Sequence, residues 1–99
     1  MTKIGLLVRI EARPEHAGEV EAMLRDALEL AEAEEGTVTW FSFRESPTVF
    51  GVFDSFADET GRTAHLQGRI AEALKEATGT MLASPPDIRR VDVLAAKLP

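Results

Sequence analysis

The hydrophobic period of this chain switches between two and about 3.6, and the order of the switches restricts the fold more than any other feature. Over residues 3–12 apolar side chains alternate. Ile4, Leu6, Val8 and Ile10 fall on one face and Gly5, Leu7, Arg9 and Glu11 on the other, which predicts a strand. Pro14 ends it and suits the first turn of a helix, where a missing N–H costs nothing. Glu15 and Glu19 complement the positive end of the helix dipole. Val20, Met23, Leu24, Ala27, Leu28 and Ala31 then recur at helical spacing. The opposite face, with Glu21, Arg25, Asp26, Glu29 and Glu32, reads as solvated. Gly36 predicts a left-handed stop.

Two strands follow over residues 37–45 and 48–55, joined by a turn at Ser46-Pro47. Gly51 inside the second of them predicts a bulge or a close approach. Ser55 with Asp58 three residues on fits a capping box, so a helix is expected from near Ala57. Its inward stripe is small: Ala57, Gly61, Ala64 and Gly68. Each glycine costs a helix about 1 kcal/mol relative to alanine, which implies close packing or room for a ligand. The helix resumes through Ile70, Ala73, Leu74 and Ala77 to Gly79. After a rigid turn at residues 84–87, a last strand is expected over 88–95. Val91 and Val93 share one of its faces, Ile88 and Leu94 the other.

Strand, helix, strand, strand, helix, strand is the ferredoxin-like order. It implies an α+β fold, a four-stranded antiparallel sheet with both helices on one face. Residues 1–99 read as a single domain, since 99 residues bury only about 60–65% of the unfolded chain's surface and support one thin core. Strand two points Trp40 one way and Phe41 and Phe43 the other, with Leu7 nearby on the same side as the phenylalanines. Large aromatics on both faces imply that both are covered, and a homodimer through the sheet face opposite the helices is the economical cover.

The charge balance, 11 basic against 17 acidic residues and a net −6, argues against nucleic-acid and anionic-membrane partners. The absence of cysteine excludes disulfides, thiolate catalysis and cysteine-ligated metal. No signal-peptide pattern and no apolar run of about 18 residues is present, so a cytoplasmic location is expected.

Chemistry-bearing residues are few. His16 reads as a surface residue and His65 as the inward ring. At a helix–sheet seam His65 is either a hydrogen-bonded structural group or a general base, and Asp54 is a candidate carboxylate partner. One inward histidine is too few for a zinc site. Trp40, Phe43, Phe50, Phe53 and Met81 are either pocket lining or plain core. Arg44 is a surface charge or an anion contact, and Arg89-Arg90 is too short a basic pair for nucleic acid. No phosphate-binding glycine loop or Ser-His-Asp order is present.

Gly36, Trp40, Phe43 and Arg44, then a strand ending in Asp54 and Phe56, then His65 nine residues on, resemble the antibiotic biosynthesis monooxygenase domain family. The resemblance spans about residues 2–95. Asp54 stands where that family usually has glutamate and Phe56 where it usually has tryptophan; Arg69 lies where many members carry a second histidine. The resemblance implies a ferredoxin-like dimer whose two sheets face each other as an α/β barrel. It implies a quinol monooxygenase-like activity, with a small aromatic hydroquinone or phenol oxidised by dioxygen and no cofactor: no flavin, haem or metal. His65 would be catalytic, and Trp40, Phe43, Arg44, Phe53 and Asp54 would contact substrate. Haem degradation, which some members perform, would need an axial histidine that residues 73–78 lack. The alternative is a non-catalytic dimeric domain that binds a small apolar ligand or accompanies a biosynthetic or degradative pathway.

Overall fold

The computed structural model describes residues 3–99. Strands β1 (Ile4–Glu11), β2 (Thr37–Arg44), β3 (Val49–Phe56) and β4 (Asp87–Asp92) form one antiparallel sheet in the order β2-β3-β1-β4. Helices α1 (Ala17–Glu32), α2 (Glu59–Leu66) and α3 (Arg69–Thr78) carry the buried residues that cover one face, and a short 3-10 turn at Pro14–His16 leads into α1. This is the ferredoxin-like α+β arrangement.

Register decides which side chains share a face. Leu6, Val8 and Ile10 pair with Asp54, Val52 and Phe50, and Trp40 and Ser42 pair with Asp54 and Val52. Val8, Ile10, Val52 and Phe50 enter one core with Val20 and Leu24 of α1 and Leu74 and Ala77 of α3. The other face carries Leu7, Phe53, Phe41, Phe43 and Gly51. On it Leu7, Phe41 and Phe43 are 41%, 56% and 43% exposed.

The expected second helix is two helices. Gly68 adopts an extended backbone (φ −89°, ψ −172°) and ends the run between Leu66 and Arg69. The cap also moves. Asp58, not Ser55, is the N-cap residue, its Oδ1 accepting from the Gly61 N–H at 3.0 Å. The Ser55 hydroxyl instead pairs with Thr39 across the strands.

Gly36 is not left-handed, since no described glycine has positive φ. It is small because of Gly61: a Cβ on Gly36 would lie 2.8 Å from the Gly61 Cα, and one on Gly61 2.7 Å from the Gly36 carbonyl oxygen. The small stripe therefore brings α2 against the loop before β2. Gly51 makes no bulge; the Phe43 ring lies over it, in space a Cβ would occupy. Leu28 leaves the apolar stripe of α1 and is 47% exposed. The last strand is shorter than 88–95, and Leu94 lies beyond it, 96% exposed. Ile88 pairs with Val8 and lies on the helix side, whereas Val91 pairs with Gly5 on the open side.

Candidate functional site: a buried histidine between two carboxylates

His65 lies on the last turn of α2, over the end of β3. Its ring meets that of Phe56 at 5.3 Å between centroids, tilted by 47°. Its Nδ1 is 2.6 Å from Glu34 Oε1 and its Nε2 is 2.8 Å from Asp54 Oδ2. The ring is 6% exposed and Asp54 is fully buried. Two carboxylates on opposite ring nitrogens call for a proton on each. Burial is the largest single influence on His65 and opposes its charge. The contacts and charges of Asp54 and Glu34 together outweigh it, so its pKa is raised above the usual 6.5. With a carboxylate at each nitrogen, the site favours the protonated ring. Because the carboxylates lie at opposite nitrogens, the three groups cannot converge on one metal ion.

The cluster is incompletely satisfied. Asp54 has a charged neighbour but no well-directed hydrogen-bond donor on either oxygen, and the buried Trp40 Nε1–H has no acceptor among the described residues. Trp40 and Asp54 are direct cross-strand partners. Buried polar groups of native proteins are seldom left this way without a water or a ligand. Glu34, by contrast, also accepts from the Thr37 hydroxyl at 2.7 Å.

Beside His65, between α3 and the β1/β4 side of the sheet, is a cavity of about 310 Å³. Leu6, Val8, Val52, Ile70, Leu74 and Ile88 give it apolar walls. His65 also borders a second cavity of about 380 Å³, lined by Glu34, Thr37, Gly61 and Arg69 among others. The ring is a partition between the two.

The residues read from the sequence divide. Asp54, Trp40 and His65 share the helix side. Phe43 and Phe53 lie on the opposite face of the sheet and cannot line the same cavity, because one strand presents alternate residues to opposite faces. Arg44 is also on the helix side but about 13 Å along β2 from Trp40, at about 3.3 Å per residue. There it pairs with Glu21, and its guanidinium lies over the Phe50 ring at 5.3 Å. Phe50 is core, and Met81 packs on that core. His16 pairs with Glu19 at the surface. Glu34 was hidden in the acidic run before Gly36, because its partner is 31 residues away in sequence.

Among the described residues no helix is long and apolar enough to cross a membrane. No protein-family model matches the sequence, and no curated protein matches it. Solved structures do. The fold is that of antibiotic biosynthesis monooxygenase domains. A structure from Caulobacter crescentus named a "putative antibiotic biosynthesis monooxygenase" superposes with a TM-score of 0.79 at 23% identity, over 95% of this chain and 92% of that one. Another, named an antibiotic biosynthesis monooxygenase, gives 0.78 at 14% identity over 93% and 99%. The NE2512 protein of Nitrosomonas europaea, of unknown function, is 54% identical over 100% of this chain and 96% of its own, with a TM-score of 0.97. At that identity over the whole length, the chain belongs to the same family as NE2512.

Proposed function

We propose that this protein binds a small aromatic hydroxyl compound, a phenol or hydroquinone, in the helix–sheet cavity and oxidises it with dioxygen without a cofactor. The observation that carries this reading is the apolar cavity against the His65 ring, which separates it from the buried Asp54 carboxylate 2.8 Å behind. Asp54 and Trp40 are a cross-strand pair beyond the His65 ring, and a hydroxyl that reached them, being both donor and acceptor, would suit the carboxylate and the indole N–H. The cluster sets two carboxyl groups against one imidazole, so it has carboxyl oxygens to spare for a ligand proton. Asp54 is then the proton acceptor, and His65, the catalytic residue that the family resemblance implied, is the positioning residue beside it.

The phenolate supplies the electrons. One electron passes to dioxygen, and the phenoxyl radical and superoxide join at a ring carbon bearing hydrogen. The resulting hydroperoxide loses water as its O–O bond breaks and the ring C–H proton departs. One oxygen atom ends in a quinone carbonyl and the other in water, which takes both hydrogens. The protein's part is to take the hydroxyl proton, return it, and exclude bulk water.

A second copy of the chain covers the open sheet face at Leu7, Phe41 and Phe43, whose exposure motivates the homodimer. The alternative, a non-catalytic domain with the same ligand, is favoured by His65, whose two nitrogens are both already engaged. Oxygen-electrode measurements with a panel of naphthols and hydroquinones under labelled dioxygen separate the two. Enzyme activity gives uptake with one labelled atom in the product, lost in Asp54→Asn. Binding with no uptake from any member leaves the non-catalytic reading.

A further inference from the structure

The cavity between α3 and the sheet has one charged group besides His65. On α3, Ala71, Leu74, Lys75 and Thr78 line it, the spacing of a single helix face. Thr78 turns its hydroxyl to the Leu74 carbonyl at 2.9 Å, so it offers the cavity little polarity. Lys75 is exposed and, like Lys3, Arg13, Arg69 and Lys97, has no carboxylate within ion-pair distance among the described residues; of these five it alone borders this cavity. A basic residue in the last turns of a helix complements its dipole, but that effect does not require the stripe that faces a cavity. The long stem of lysine can lie along the apolar rim with its ammonium in water. The cavity is therefore apolar along its walls, with a buried acceptor behind His65 and a free cation at the rim.

Resting on the binding reading above, we propose that the ligand is an anionic aromatic: a hydroxylated ring body in the cavity, with a carboxylate or comparable acid group held at the rim by Lys75. An acid group at the inner end would meet the net-negative cluster of Asp54, His65 and Glu34, so the charge pattern also sets the orientation, hydroxyl inward and acid outward. In a protein of net charge −6, a local cation is what lets an anionic ligand approach this surface.

Three probes test this: 2-naphthol, 6-hydroxy-2-naphthoate and its methyl ester, titrated into the intact protein while backbone amide NMR shifts and Trp40 fluorescence are followed. The acid is expected to bind at least tenfold tighter than the naphthol or the ester at low salt, with the preference shrinking as salt is raised. Lys75→Met should bring the ratio of acid to ester affinity close to one, and Lys75→Arg should keep it. Equal affinities for acid and ester in the wild type, or a preference that survives Lys75→Met, overturn the proposal while leaving the cavity reading intact. If none of the three probes binds, the cavity reading itself falls and this proposal with it.

Discussion

Removing His65 tests the buried cluster most directly. In His65→Ala, Asp54 keeps its place in a fully buried position but loses the cation 2.8 Å away. Breaking a buried pair by deleting one partner costs about 3–5 kcal/mol, chiefly because the other charge is stranded. A domain of this size has a total stability of only about 5–15 kcal/mol. At about 4–8 °C per kcal/mol, the variant should melt roughly 12–40 °C lower. Urea unfolding at one fixed protein concentration, followed by far-UV circular dichroism, measures the loss. The cause is isolated by adding Asp54→Asn, which removes the stranded charge. The double variant should be more stable than His65→Ala alone. A single variant that loses less than about 1 kcal/mol, or a double variant no better than the single, would refute the ion-pair account.

The same cluster sets a pH dependence with a definite sign. Its facing groups are Asp54 from β3 and Glu34 from the segment after α1, with Arg69 bordering the adjoining cavity. The folded-state pKa of His65 lies above the usual 6.5. Between the unfolded and the folded values the native state holds the extra proton, so stability falls as pH rises through that window. The contribution is fully present below pH about 6.5 and lost above the folded value. The wild-type urea midpoint should therefore decline as pH rises above about 6.5, and this slope should flatten in His65→Ala.

Light scattering at micromolar concentration should give a dimer, and Phe41→Glu should give a 10.8 kDa monomer; a monomeric wild type defeats the interface. Gly61→Ala should cost about 1–3 kcal/mol by forcing α2 off the loop at Gly36. Gly18→Ala, with nothing within 4 Å of its new methyl, should be neutral or stabilising. The purified protein should be colourless, and a flavin or haem absorbance band, or stoichiometric metal by elemental analysis, would contradict the cofactor-free chemistry.

The fold was legible because its signals are local. Alternation in β1 and β3 and the 3.6-residue stripe of α1 are written within single segments. Where the sequence misled, the deciding neighbour was distant in the chain. Gly36 looked like a helix stop, yet its size answers to Gly61, 25 positions on, through a contact no local pattern records. Gly68 looked like a tolerated weak point inside one helix, but its extended backbone ends α2's run and starts α3.

The site shows the same division. His65 was visible as a lone inward ring, and Asp54 as a carboxylate on the strand behind it. Parity alone separates Trp40 from Phe43, and Asp54 from Phe53, once the strand register is fixed. Glu34 was not visible, because an acidic run before a glycine is ordinarily solvated surface. Its role matters for the chemistry. With Asp54 alone, His65 would have one free nitrogen and could serve as a neutral base. With Glu34 on the other nitrogen neither ring nitrogen is free, which favours the charged ring. A core selected for stability alone has little reason to keep this arrangement, since apolar replacement of a buried ionic cluster is often neutral or stabilising by about 1–4 kcal/mol. In the proposed reading, the apolar cavity at the His65 ring and the Trp40 N–H without an acceptor among the described residues are the two features that a ligand hydroxyl would use.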